Sequence, residues 1–298
     1  MTASDRHTDI FESIVRVRRE GIPAALATIV GTRGSTPGRE AMRLLVLEDG
    51  TFLGTVGGGC LEAEVYEAAR EVLRDEAPRT LQFRLTEFES PDSGLLCGGE
   101  VTIFVEPVTT PALWIFGGGH VSKALTSVAA MAGFRVTVCD DRENYASSTR
   151  FPDAAATVAE PYRDAAAAMP IRANTYVVIV TRGHKEDGVV LAALAARAAA
   201  GERLKFLGMI GSKVKRGVLF RHLRAEGVDE AFLESVRSPV GLCLGARTHE
   251  EIAVAVVGEL ISVRRTGEDA AVAWRDRKKR GPRASEPGEA PPDSRESA

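Results

Sequence analysis

Between residues 113 and 225, short apolar runs alternate with helical patterns at a spacing that leaves few folds open. LWIF (113–116), FRVTVCD (134–140), YVVIV (176–180) and FLGMI (206–210) read as buried strands. Helical periodicity separates them near 121–132, 186–200 and 214–225. Strands joined by crossover helices require a doubly wound parallel sheet, an α/β fold of Rossmann-like form. A further helix over 249–264 closes this unit. Thr248 is placed to cap it, and Glu251, three positions on, completes a capping box.

The first hundred residues follow a different pattern. A helix is expected over 9–20, with Ile10, Ile14 and Val15 on one face. The strand-like runs AALATIV, RLLVL and TFLGTV follow, separated by Gly and Pro. A helix over 61–75 and strands near 80–85 and 101–105 complete an α+β domain. The expected organisation is therefore an α+β domain over 1–106, a linker PVTTPA at 107–112, a Rossmann-like domain over 113–265 and a disordered tail over 266–298. The tail is charged and proline-rich and lacks apolar periodicity.

A chain of 298 residues has room for two such domains. Its net charge of −3 argues against nucleic acid as the main partner. The longest apolar runs are strand-sized and the first twenty residues lack an apolar signal core, so neither a membrane span nor a secretory leader is expected. Cysteines stand at 60, 97, 139 and 243, with no Cys-x-x-Cys pair. That spacing disfavours a thiolate zinc cage and fits reduced thiols in a cytoplasmic protein.

Several residues carry candidate chemistry. Gly117-Gly118-Gly119-His120 follows a strand and opens a helix. Glycines there let the backbone turn tightly and approach a pyrophosphate seated on the helix N-terminus. Asp140, followed by Asp141, ends the next strand, where an acid accepts ribose hydroxyls. His184, with Arg182 and Asp187, lies just past the third strand, and Ser212, Lys213 and Lys215 just past the fourth. Ligands of open α/β sheets collect beyond such strand ends. Ser212 also suits a helix N-cap. In the first domain, Cys60 follows three glycines and starts the helix that carries Glu62, a place that stabilises a thiolate. Cys97 lies in a second Gly-rich loop, whereas Cys139, inside an apolar strand, reads as a packing residue.

GSTPG, GTVGGGCLEAEV, LLCGGEV, FGGGHVSKAL, VCDDRENYA, TRGHKED, MIGSKVKR and SPVGLCLGARTHEEIAVAV occur here in one order. Together they make the chain resemble the xanthine dehydrogenase accessory factors, the XdhC/CoxI family, over residues 10–265. The resemblance implies an N-terminal α+β domain and a Rossmann-like domain. It implies a maturation factor, more than an enzyme, that binds molybdenum cofactor (molybdopterin or its dinucleotide form). Such a factor protects the cofactor, aids its sulfuration and inserts it into an apo molybdenum hydroxylase of xanthine dehydrogenase or carbon monoxide dehydrogenase type. A cysteine desulfurase and a homodimer are the further partners expected. On this reading Cys60 and Cys97 lie near the molybdenum end, with Glu62 beside them. Gly117, Gly119, His120, Asp140 and Asp141 lie at the phosphate or nucleotide end, and His184, Ser212 and Lys213 complete the crevice. Two other readings share the Rossmann pattern: an NAD(P)-dependent oxidoreductase, and a Rossmann scaffold that has lost its nucleotide.

Overall fold

The computed structural model describes residues 9–85, 98–108 and 110–267. Cys97 and almost all of the expected disordered tail fall outside them. The chain is a mixed α/β protein with one antiparallel and one parallel sheet.

Helix α1 (Ile10–Glu20) starts where Asp9 caps the amide of Phe11 and stops at Gly21 in the left-handed region. Strands β1 (Ala24–Arg33), β2 (Arg43–Leu47) and β3 (Phe52–Gly54) then form a meander. Helix α2 (Gly59–Asp75) leads into β4 (Arg79–Arg84) and β5 (Glu100–Pro107), giving the antiparallel order β3-β2-β1-β5-β4. Central β1 is buried on both faces. Ala25, Ala27 and Ile29 pack with Leu61, Val65, Ala69 and Val72 of α2, while Ala24 and Leu26 pack with Val17 of α1. That two-sided burial explains the nearly continuous apolar run in AALATIV. The ladder of β5 extends to Pro107, opposite Ala25, so the first proline of PVTTPA still belongs to the strand.

The parallel sheet begins with β6 (Ala112–Phe116), followed by α3 (His120–Met131) and β7 (Arg135–Cys139). Three short elements follow that periodicity did not predict: β8 (Ala156–Val158), α4 (Tyr162–Ala168) and, later, α7 (Glu230–Ser235). The rest are β9 (Thr175–Ile179), α5 (His184–Ala199), β10 (Phe206–Met209), α6 (Lys213–Ala225) and α8 (His249–Thr266). The strand order β10-β9-β6-β7-β8 is all parallel and reverses between β6 and β9. Leu113, Ile115, Val136 and Val178 face a layer that includes α8 residues Ala253, Val256 and Leu260. Phe116, Val177, Ile179 and Met209 face Ala165 of α4, Leu191 of α5 and Leu219 of α6. Helices on both faces bury the strands twice, as their uninterrupted hydrophobicity required.

The capping box of α8 is formed: the Thr248 hydroxyl accepts the amide of Glu251 at 3.2 Å, and the Glu251 carboxylate accepts the amide of Thr248 at 3.1 Å. Thr248→Ala is expected to lower stability by about 1 kcal/mol, read by urea denaturation. A loss below a few tenths would mean that water caps this helix equally well.

The two sheets are joined at the N-terminal end of the parallel strands. The amide of Ala173 donates to Glu48 at 2.8 Å, and Lys205 Nζ donates to the carbonyl of Arg74 at 3.0 Å. Arg264, near the end of α8, pairs with the buried Glu76 just past α2 at 2.9 Å.

Candidate functional site

The opposite, C-terminal edge of the parallel sheet gathers the polar strand ends. At its centre the chain turns sharply from β6 into α3. Gly117 has φ 112°, and a Cβ there would lie 2.2 Å from the carbonyl oxygen of Val180. A Cβ on Gly118 would lie 2.1 Å from the carbonyl oxygen of Tyr145. Gly119 differs: it is the N-cap of α3, and among the described residues beyond its chain neighbours no atom stands within 4 Å of its Cβ position. The first two glycines thus serve packing, and the third leaves open space at a helix N-terminus, where backbone N–H groups attract anions.

Asp140 does not present an open carboxylate. It is fully buried, and Oδ2 accepts the amide of Gly118 at 2.7 Å and the hydroxyl of Tyr162 at 3.0 Å. Oδ1 accepts the amide and Nε of Arg142 at 3.1 and 2.8 Å. Burial alone would raise its pKa, but the hydrogen bonds from Arg142, Gly118 and Tyr162 outweigh that and hold it down at about 2. The expected role of Asp140 as an acceptor for ribose hydroxyls is therefore replaced here by that of an internal brace. Its neighbour Asp141 is more accessible and forms a two-pronged pair with Arg182, Oδ1 at 2.6 Å and Oδ2 at 2.8 Å. That pair runs from the end of β7 to the end of β9 and spans the Gly117 turn between them. Tyr145 lies beside this turn, with the guanidiniums of Arg142 and Arg150 at 3.6 and 4.9 Å from its ring centre.

His120 opens α3 and is exposed. Its ring stacks on that of His249, the first residue of α8, with centroids 5.5 Å apart. His184 is the first residue of α5 rather than a loop residue, with Gly183 as N-cap. Ser212 caps α6 by accepting the amide of Lys215 at 3.2 Å, and Lys213 is the first residue of that helix. The N-termini of α3, α5, α6 and α8 thus open around one sheet edge, each contributing a positive dipole end.

Cys60 is exposed, in the first turn of α2. Among the described residues, a Cβ built on Gly58 or Gly59 just before it meets nothing within 4 Å. Glu62 braces the preceding turn: Oε2 accepts the hydroxyl of Thr55 at 2.5 Å and the amide of Val56 at 3.3 Å. Cys139 is buried, its thiol faces the carbonyl of Glu160 at 3.9 Å, and burial followed by the charge of Asp140 pushes its pKa up to about 12. It is a packing thiol. The structure therefore brings Gly117, Gly119, His120, Asp140, Asp141, His184, Ser212 and Lys213 to one edge of the parallel sheet. Cys60 and Glu62 stand on the other sheet's domain, whose anchoring contacts run through Glu48, Arg74 and Glu76 to the far end. Tyr145, Tyr162 and His249 were not singled out as site residues by the sequence, whereas Arg182 was named as a strand-end residue without its partner. The paired acids of VCDDR beside the arginine of TRGH were the only signal for the Asp141–Arg182 pair.

Family comparison agrees with both halves. The XdhC Rossmann domain matches residues 113–260, and the XdhC and CoxI family matches residues 17–84. The chain belongs to the XdhC and CoxI family. Within known relatives it is 33% identical over 258 residues to the Escherichia coli (strain K12) protein YqeB, covering 86% of this chain and 46% of YqeB. It is 30% identical over 163 residues to a probable xanthine dehydrogenase subunit of Bacillus subtilis (strain 168), covering 54% of this chain and 44% of that one. It is 25% identical over 314 residues to the molybdenum cofactor insertion chaperone PaoD of Escherichia coli (strain K12), covering 88% of this chain and 90% of PaoD. The chain thus spans about half the length of the first two relatives. Among the described residues, no helix is long and apolar enough to cross a membrane.

Proposed function

We propose that this protein is a molybdenum cofactor maturation factor. It binds the cofactor as cargo, shields it, and passes it to an apo molybdenum hydroxylase of xanthine dehydrogenase or carbon monoxide dehydrogenase type. The observation that carries this reading is the similarity to PaoD along 90% of that chaperone's length, by a chain whose family matches lie in both halves. The geometry is compatible with it. The open N-terminus of α3 at Gly119, with those of α5 and α6, suits the phosphate end of such a cargo. The exposed Cys60 suits its soft, sulfur-ligated metal end. Support of sulfuration, in concert with a cysteine desulfurase, and action as a homodimer complete the proposal.

An NAD(P)-dependent oxidoreductase fits less well. Its usual ribose acceptor, Asp140, is buried and tied to Gly118, Tyr162 and Arg142.

The test is reconstitution of an apo hydroxylase by cofactor-loaded protein. Cys60→Ser keeps the size of the side chain and removes the soft ligand, so it is expected to fold normally and to deliver less active cofactor. Cys139→Ser is expected to deliver as wild type, with some loss of stability from a buried hydroxyl. Equal delivery by Cys60→Ser and wild type would remove Cys60 from the site. Tight NAD binding with turnover, and no retention of cofactor, would overturn the whole reading.

A further inference from the structure

Between the ends of β9 and β10 lies a cavity of about 90 Å³. Thr181, Arg182, His184, Asp187 and Lys215 supply its polar lining, and Met209, Ile210 and Leu219 its apolar part. Asp187 is the unusual member. It sits one turn inside α5 and is only 9% exposed, yet among the described residues no cation lies within ion-pair distance of it. The hydroxyl of Thr181 donates to Oδ1 at 2.5 Å and fixes the orientation of the carboxylate. Burial pushes the carboxyl up to about 6 in spite of that bond. A backbone contact with Thr181 and the charge of Lys215 also favour the ionised form, and burial outweighs them. The cavity is far smaller than a pocket that encloses a whole ligand. A cavity of that size admits the edge of one ring.

We propose that Asp187, oriented by Thr181, reads the 2-amino-4-oxopyrimidine edge of a pterin presented at the mouth of this cavity. That edge carries a ring N–H and an exocyclic N–H side by side, a donor pair that matches the two oxygens of one carboxylate as a guanidinium does. Each carboxylate oxygen accepts more than one hydrogen bond, so Oδ1 keeps its bond to Thr181 while Oδ2 and Oδ1 receive the ring. The apolar walls suit the faces of a flat heterocycle. Guanine has the same edge, and the distinction between the two sources is experimental. This inference rests on the cargo reading above and adds the residue that recognises the organic part of the cargo.

The test is a titration of the full chain with 6-hydroxymethylpterin, with its lumazine counterpart, in which a 2-oxo group replaces the 2-amino group, and with guanosine. Wild type is expected to prefer the pterin to the lumazine by about ten-fold or more, the discrimination typical of a hydrogen bond to a charged acceptor. Asp187→Asn, nearly isosteric, is expected to lose that preference while its melting curve shows a folded protein. Thr181→Val is expected to shrink it. No preference in wild type, retention of the preference by Asp187→Asn, or tighter binding of guanosine than of the pterin would each overturn the proposal. Retention of intact molybdenum cofactor, assayed in parallel, separates the two readings. If wild type and Asp187→Asn retain the cofactor equally, this site falls and the cargo reading stands. If the pterin binds through Asp187 but the cofactor is never retained, the cargo reading falls and this site stands.

Discussion

Replacing Asp140 by alanine is expected to destabilise the protein by about 3–5 kcal/mol, the range for removing one partner of a buried charged network. The carboxylate is fully buried and accepts from the Gly118 amide, the Tyr162 hydroxyl and Arg142. Without it those donors are stranded, and the Gly117–Gly119 turn loses the bond that ties it to β7. Asp140→Asn retains the size and part of the hydrogen bonding, so its loss is expected to be smaller. The pH dependence has a defined sign. The carboxyl is lowered from 3.8 to about 2 in the fold, so its contribution is present above about pH 4 and disappears as the pH falls toward 2. It amounts to roughly 2 kcal/mol. Asp187 acts in the opposite direction. Its carboxyl is raised from 3.8 to about 6, so stability is lost as the pH rises through that interval. Denaturation of wild type and Asp140→Asn between pH 2 and 7 checks both. A wild-type profile that Asp140→Asn reproduces at every pH would show that the brace contributes nothing.

Gly117→Ala and Gly119→Ala are expected to separate folding from binding. The first places a methyl group 2.2 Å from the carbonyl oxygen of Val180 at a residue with φ 112°. Neither β6 nor β9 has freedom to retreat, because each is paired on both sides in the middle of the sheet. A cost of about 3 kcal/mol or more follows from the strained backbone and the overlap together. Gly119 has φ −73° and, among the described residues beyond its chain neighbours, nothing within 4 Å of its Cβ position, so alanine there is expected to cost under about 1 kcal/mol. Its methyl group would nonetheless occupy the space in which a phosphate approaches the amides of α3. Thermal melts and cofactor retention measured on both variants provide the check. A Gly119→Ala variant that melts as wild type and retains cofactor as wild type would place the phosphate elsewhere along the sheet edge. A Gly117→Ala variant with an unchanged melt would contradict the close packing of β6 against the Val180 carbonyl.

Local chemistry carried much of this architecture in readable form. Thr248 and Ser212 sit where a cap was expected, because capping depends on residues only three positions apart. The strands of the parallel sheet were legible because burial on both faces makes each one continuously apolar. The antiparallel β1 was legible for the same reason. β8, α4 and α7 were harder to read: three, seven and six residues respectively are too short for a period to establish itself, and YRDAAAA has little contrast between faces.

The polar edge of the parallel sheet was legible as a set of positions and not as a set of roles. The sequence by itself determined that Gly117–His120, Asp140–Asp141, His184 and Ser212–Lys213 end or follow strands of one sheet, and a parallel sheet carries all such ends to the same edge. Only the tertiary structure decided which of these groups faces solvent and which is enclosed. Asp140 meets Gly118 and Tyr162 from 22 residues away on either side, Asp141 meets Arg182 across 41, and His120 stacks on His249 from another helix. Asp187 read as one more polar residue near a strand end; the structure starts α5 at His184 and buries that side chain. Desolvation is a property of everything packed around a group, and most of what surrounds these carboxylates is distant in the chain. The role of each one therefore follows from the assembled sheet edge, and its position from the order of the residues.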